Sequence, residues 1–181
     1  RVTDEGGLFA DRSFTTTIVS GLVYALIAEV DLASSGSGDL VITNIPQDYT
    51  HLEVYFSYER TSTSNTSLYM YPNNVKTATH AFIRAGGAEN GQHSNQGYFG
   101  TSSTFLTDIG GDWPSVGRMV FPDYSSTTKR SSSLSVAGLV STEQRIHQVA
   151  GSMEGVGAIT SLAFQGDPDV NMRVGIYGIL E

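Results

Sequence analysis

The chain has 181 residues, which is enough for one ordinary domain with a substantial hydrophobic core. Aromatic residues account for 10% of it, so we expect a folded chain even though charged residues account for only 15%. The net charge of −8 disfavours nucleic acid and anionic membrane surfaces as partners, and the absence of cysteine excludes disulfides, thiol catalysis and cysteine metal sites.

The first segment of the chain is polar except for Leu8, Phe9 and Phe14. We predict that residues 1–17 form an extended N-terminal arm and that residues 18–181 form a single β-sandwich domain. Because exposed phenylalanine is unfavourable in water, we expect the arm to dock on a neighbouring chain. The alternative is a frayed terminus.

Alternation of apolar and polar residues, the pattern of a half-buried strand, recurs along the chain. It is clearest at residues 52–58, where the even positions are apolar, and residues 134–136 are interpreted in the same way, with Leu134 and Val136 facing a core. The predicted strands are 24–32, 39–43, 52–58, 68–70, 80–84, 118–121, 134–136, 146–153, 159–164 and 172–176. Turn-forming residues separate them, so the sequence predicts an all-β, jelly-roll-like antiparallel β-sandwich of about eight to ten strands.

A glycine-rich stretch at residues 86–112 interrupts this series and is predicted to be a large loop or an irregular excursion. It contains amide and aromatic side chains, which suit contact with a protein partner or a glycan, and the only tryptophan follows it. The candidate contact residues are Asn90, His93, Asn95, Tyr98, Phe99 and Trp113.

No catalytic or metal-binding pattern stands out. Asp167 and Asp169 begin like a calcium-binding loop, but Met172 occupies the position that requires glycine. Carboxylates such as Glu53 and Glu59 are expected to lie on the outer face of a strand, where charge serves solvation. We therefore expect no metal, no cofactor and no enzymatic activity, and no segment is apolar enough to span a bilayer.

Several segments together resemble a family of small structural proteins from tailed bacteriophages. They are residues 45–52 (IPQDYTHL), 58–60 (YER), 71–74 (YPNN), 120–124 (VFPDY), 126–130 (STTKR), 158–162 (AITSL) and 176–179 (IYGI). The resemblance extends over about residues 24–179. The chain departs from the family pattern at residues 153–156, where a tryptophan is expected.

The resemblance implies a virion protein, assembled in the cytoplasm of the host bacterium, that acts through protein–protein contacts. The first hypothesis is a capsid decoration, or cement, protein that forms a homotrimer and whose arm binds a neighbouring subunit or the major capsid protein. The alternative is a tail or fibre component, either an adaptor or a receptor-binding module, in which the stretch 86–113 contacts a host-surface glycan or an adjacent tail protein. A third hypothesis, an enzyme such as a depolymerase, has no motif to support it.

Overall fold

The structure is a computed structural model of the chain. It describes residues 17–19, 22–32, 39–60, 66–76, 80–88, 93–101, 104–109, 115–128, 131–139, 145–154, 157–165 and 170–180. The predicted arm with Leu8, Phe9 and Phe14 lies outside the described residues, apart from its last position.

Strands make up the regular structure of the described residues, among which no helix occurs. The thirteen strands described are β1 (Thr17–Val19), β2 (Leu22–Leu32), β3 (Leu40–Ile42), β4 (His51–Arg60), β5 (Thr66–Pro72), β6 (His80–Ala88), β7 (His93–Thr101), β8 (Thr104–Ile109), β9 (Ser115–Pro122), β10 (Ser131–Leu139), β11 (Arg145–Met153), β12 (Leu162–Phe164) and β13 (Val170–Leu180). Nothing in this described part is a helix that could cross a membrane. All ten predicted runs overlap a strand, which confirms the all-β class.

The strands form an antiparallel β-sandwich with a jelly-roll arrangement. The large sheet has the order β1-β2-β13-β4-β9-β10-β11-β6-β7, and the small sheet has the order β3-β12-β5-β8. Eight strands, β2, β3, β4, β5, β8, β9, β12 and β13, carry the jelly-roll plan. Counted first to eighth along the chain, they pair as 1-8-3-6 in one sheet and 2-7-4-5 in the other.

The pairs β6–β7 and β10–β11 are inserted into this plan. Both add to the large sheet on the far side of β9, where β10 pairs with β9 and β11 pairs with β6. The large sheet therefore continues well beyond the strands that the jelly-roll plan needs. We call the added strands β10, β11, β6 and β7 the sheet extension.

The prediction of a large loop or an irregular excursion at residues 86–112 is wrong. These residues continue β6 and then form β7 and β8, with gaps between them that lie outside the described residues. Strand β7 is the last strand of the large sheet in the described part and pairs with β6 alone. A strand is held by backbone hydrogen bonds, and a glycine-rich edge strand does not need the apolar alternation on which the prediction depended.

The core lies between the two sheets. Leu52, Val54 and Phe56 face inward from β4, and Met70 and Phe164 meet them from the small sheet. The alternation at residues 52–58 thus identified the inner face of the central strand correctly. The close packing also depends on one glycine, because a Cβ atom at Gly117 of β9 would lie 2.2 Å from Cζ of Phe56.

The turns at one end of the sandwich bind each other through hydrogen bonds. Ile45 N donates to Thr160 O at 3.0 Å, and Ile159 N donates to Tyr124 O at 2.8 Å. Asn73, which has a φ of 52°, accepts from Thr160 N at 2.8 Å through Oδ1 and donates to Ala158 O at 2.8 Å through Nδ2. We call residues 43–50, 73–74, 123–128 and 157–161 the turn cluster.

Candidate functional site

The candidate contact residues from the sequence are only partly placed. Asn90 and Trp113 lie outside the described residues. His93, Asn95, Tyr98 and Phe99 belong to β7, where their backbones pair with Gly87, Ala85, Phe82 and Ala81 of β6. They are therefore strand residues and not members of a loop.

The candidate contact surface in the structure is the outer face of the large sheet. Seven large hydrophobic side chains are exposed among the described residues, and all of them lie on this face according to the strand register. They are Tyr24, Tyr55, Ile83, Val116, Leu134, Val136 and Ile146. Exposed hydrophobic residues gathered on one face are typical of an interaction surface.

Strand β10 presents the opposite face from the one predicted. Leu134 and Val136 are 57% and 45% exposed, whereas Ser133 and Ser135 are buried. The prediction that the apolar residues of this strand face the core is wrong, because pairing with β9 places Ser135 opposite Met119, which lies in the core. Side chains alternate across a sheet, so this register sends Leu134 and Val136 outward.

Five of these exposed residues and their neighbours form an apolar patch on the sheet extension and β9. We define the apolar patch as the outward residues of β6, β11 and β10 together with Val116 and Val120 of β9. The outward residues are Ala81, Ile83, Ala85 and Gly87 on β6, Ile146, Gln148, Ala150 and Ser152 on β11, and Ser132, Leu134, Val136 and Gly138 on β10. None of these twelve residues is charged.

A second group, the tyrosine cluster of Tyr24, Tyr55 and Tyr177, covers the outer face nearer the middle of the sheet. It surrounds Glu53, which points outward from β4 and yet has no exposed surface. The Tyr24 hydroxyl donates to Glu53 Oε2 at 2.6 Å, and Arg118 forms an ion pair with the other carboxylate oxygen. Tyr177 packs edge-on against Tyr55, with ring centroids 5.6 Å apart.

Glu53 therefore departs from its predicted role as a solvated surface charge. Its strand face was predicted correctly, but the tyrosine rings exclude water from it, and its charge is met by Tyr24 and Arg118. A buried carboxylate requires such partners, because an unpaired charge out of water is costly. Glu59, by contrast, is exposed, as predicted.

The electrostatics of the cluster keep its exposed phenol neutral. Burial raises the pKa of Tyr55 above its ordinary value, and the neighbouring Tyr24 and Tyr177 raise it further. Beside the cluster, Arg173 of β13 makes a two-point contact with Asp31 of β2, with Nε–Oδ1 and Nη2–Oδ2 distances of 2.6 Å and 3.1 Å. This pair is exposed, so it contributes little stability.

The described residues do not assemble a recognisable catalytic group. No cluster of three or more His, Asp or Glu side chains that could hold a metal ion occurs among them. Glu53 and Glu59 are six residues apart on one strand, which places them about 20 Å apart at about 3.3 Å per residue. Glycosidase carboxylates are separated by roughly 5 to 9.5 Å, so these two do not form such a pair.

Comparison with known proteins identifies no relative by sequence. No family model matches the chain, and no curated protein matches it. Among solved structures, alginate lyase Aly36B is similar at a TM-score of 0.31 and 7% identity, covering 92% of this chain and 83% of the lyase. A mutant of that lyase in complex with alginate tetrasaccharide gives a TM-score of 0.32 and 8% identity, covering 92% of this chain and 84% of the other. Similarities this weak carry no argument about activity.

The sequence did not predict that apolar side chains are exposed on the outer face of the large sheet. The serines at positions 131–133 and 135 alternate with Leu134 and Val136, and small serines fit inside a sandwich as readily as outside it. The pattern therefore allowed either face of β10 to point inward. The register with β9 makes the choice, and register is a tertiary property.

Proposed function

We propose that the chain is a structural component of a tailed-phage virion, most specifically a capsid decoration protein, that acts through protein–protein contacts and not through catalysis. The observation that carries the contact role is the uncharged apolar patch on the outer face of the sheet extension. The virion location is supported by the resemblance of the seven quoted segments.

The apolar patch supports a contact role because its exposure is unfavourable in water. Ile83 and Ile146 are each 60% exposed and Leu134 is 57% exposed, in a chain whose net charge of −8 supplies polar surface elsewhere. Burial of such side chains contributes free energy in proportion to the apolar area removed from water. A protein present in many copies can use weak contacts of this kind, since neighbouring copies hold each other at high effective concentration.

The tyrosine cluster favours a structural role over a catalytic one. A carboxylate that serves as a general acid or base must reach its substrate, and Glu53 is enclosed and already engaged by Tyr24 and Arg118. The raised pKa of Tyr55 makes this phenol a poor base at neutral pH. The same groups stabilise the sheet by joining β2, β4 and β9 across their outer face.

The copy number per particle tests the location. Quantitative mass spectrometry of purified virions would compare the chain with the major capsid protein, and a decoration protein should be present at a comparable number of copies. A small number per particle would favour the alternative of a tail or fibre component. Absence of the chain from purified virions would overturn the virion proposal.

Removal of residues 1–16 tests the arm. All thirteen described strands begin at or after Thr17, so we expect the shortened chain to fold with an unchanged circular dichroism spectrum. We also expect it to lose incorporation into particles, because the arm carries the apolar side chains Leu8, Phe9 and Phe14. Incorporation equal to that of the full chain would exclude the arm as the attachment segment.

A further inference from the structure

No described residue packs over the outer face of β10, β11 and β6, where Ile83 and Ile146 are each 60% exposed. The jelly-roll plan ends at β9, and β10, β11 and β6 continue the sheet with outward residues that are all uncharged. On β9, the charged Arg118 lies on the same face between Val116 and Val120, opposite Val136, and forms an ion pair with Glu53 of β4. A second chain with the same net charge of −8 would meet least repulsion at this uncharged area.

Large and small residues alternate across β6, β11 and β10 in two rows of the patch. One row across the strands runs Ile83, Ala150, Leu134 and Val120. The row four residues along runs Gly87, Ile146, Gly138 and Val116, so its large residues are shifted by one strand. The row between these two runs Ala85, Gln148, Val136 and Arg118. A surface with this alternation has both the projections and the recesses that face-to-face packing of sheets requires.

We infer that two copies of the chain associate through the apolar patch about a two-fold axis that runs parallel to the strands, between β10 and β11. This axis places Leu134 of one copy over Ala150 of the other and Ile146 over Gly138. On the outer strands, Val116 then faces Gly87 and Arg118 faces Ala85, whereas Val136 faces Gln148 and Ile83 faces Val120. Most of the facing pairs therefore join a large side chain with a small one, and each contact occurs twice, as a two-fold interface requires. Gly138 suits this role because a Cβ atom there would meet nothing within 4 Å, which leaves the recess open.

The size of the patch indicates a modest affinity. Four strands at about 4.8 Å and seven residues at about 3.4 Å cover roughly 450 Å² of sheet. A standard interface buries about 800 Å² on each partner, so the patch matches the smaller, transient class. We therefore expect a dimer that dissociates on dilution and that is reinforced where many copies are held together.

This inference rests on the proposed contact role but not on the virion location. It replaces the homotrimer expected from the resemblance with a two-fold pair. If the purified chain is monomeric, the dimer is excluded while the virion proposal remains open to the copy-number measurement. If the chain dimerises but is absent from virions, the reverse holds.

Sedimentation velocity of the purified chain over a dilution series tests the interface. We expect a monomer–dimer equilibrium whose dissociation constant rises by about tenfold or more in Leu134→Lys, which places a charge in the patch. Gly138→Val should have a similar effect by filling the recess, and a Cβ atom at this position meets nothing within 4 Å in the free chain. The matched control is Thr127→Lys, which adds the same charge at an exposed position in the turn cluster.

Cross-linking tests the position of the axis. The chain has no cysteine, so Gln148→Cys introduces a single thiol beside the predicted axis, on an exposed side chain. A short thiol-specific cross-linker should join two copies of this variant, whereas Thr127→Cys should remain uncross-linked at the same concentration. Thermal unfolding of every variant confirms that the fold is retained.

Three outcomes would overturn the inference. They are a wild-type chain that stays monomeric at the highest concentration, a wild-type trimer, and a dimer that neither Leu134→Lys nor Gly138→Val weakens. Gly138→Val keeps the test decisive if the lysine variant fails to fold. A dimer that both variants weaken and that Gln148→Cys captures would support it.

Discussion

Tyr124 has the most deeply buried hydroxyl of the turn cluster, with no exposed surface. The hydroxyl donates to the carbonyl oxygen of Pro46, in the turn that leads into β4. Burial raises its pKa to about 12. One polar atom therefore ties two turns together at the end of the sandwich while remaining protonated over the whole physiological range.

Replacing this residue, Tyr124→Phe, should remove about 1 kcal/mol of the free energy of unfolding at neutral pH, because a buried hydrogen bond is lost. The pH dependence should change as well. The unfolded chain loses the phenol proton near pH 10 and the folded chain only near pH 12, so the stability contributed by Tyr124 is complete below pH 10 and declines as the pH rises toward 12.

Urea unfolding at about pH 7 and at several pH values between about 9 and 12 would check both effects, because this range spans the titration of the phenol. The variant should show a shallower alkaline decline than the wild type. An equally steep decline in both proteins would show that other groups cause it.

Asn73 performs two tasks that few residues combine. Its φ of 52° is in the left-handed region, and its side chain bonds Thr160 and Ala158 across the turn cluster. Apart from glycine, asparagine is one of the few residues that adopt this conformation readily. The position therefore needs both backbone tolerance and an amide.

The variant Asn73→Ala should lose about 3 kcal/mol, from the side-chain hydrogen bonds and from a left-handed alanine. Asn73→Gly keeps the backbone tolerance and should lose about 1 kcal/mol less. Chemical denaturation of both variants separates the two contributions. Equal losses in the two variants would mean that the backbone conformation contributes nothing.

At the scale of the element, β9 and β10 each contain a glycine, and the two glycines face opposite sides of the sheet. Gly117 of β9 is on the inner face against Phe56, whereas Gly138 of β10 opens onto solvent in one copy. The two glycines lie in adjacent pairs of the same two strands. Gly117 lies opposite Ala137, and Gly138 lies opposite Val116. Adjacent residues of one strand pair thus have opposite packing requirements.

Alanine at each position tests this contrast. Gly117→Ala should destabilise the fold by about 1–3 kcal/mol, because its Cβ overlaps the Phe56 ring and the core must shift. Gly138→Ala should be neutral or slightly stabilising, since alanine loses less backbone entropy than glycine. Thermal unfolding of both variants at a concentration that keeps them monomeric provides the measurement, and similar losses in both would contradict the assigned faces.

At the scale of the whole molecule, the net charge of −8 and the uncharged patch act against each other. Like-charged copies repel at long range, and salt shortens that range to about 8 Å at physiological ionic strength. Contact through an apolar surface is not weakened by salt. We therefore expect the dimer to become tighter as sodium chloride is raised.

Sedimentation velocity at low and at high salt would measure this effect on the dissociation constant. A decrease with added salt fits an apolar interface between chains of equal charge. An increase would indicate that ion pairs hold the copies together. The charged residues of β2 and β13, including Arg173, would then be the first candidates for substitution.

The turn cluster joins segments that lie far apart in the sequence. Parts of the segments at residues 45–52, 71–74, 120–124 and 158–162, which carry the phage resemblance, meet there through hydrogen bonds such as Asn73 Nδ2 to Ala158 O. They maintain the end of the sandwich, whereas the apolar patch lies on strands outside most of these segments. The segments on which the virion proposal rests thus lie largely at this end of the sandwich, and they contain little of the apolar patch.

The sequence by itself determined the all-β class, the approximate positions of ten strands, and the inner face of β4, because period-two patterning is a local consequence of strand geometry. Only the tertiary structure decided that residues 86–112 add strands to a sheet, that β10 turns Leu134 and Val136 outward, and that Glu53 is enclosed. Each of these depends on which strand lies beside which, and in what register. Hydrogen bonds between distant segments set that register, and no local pattern contains it.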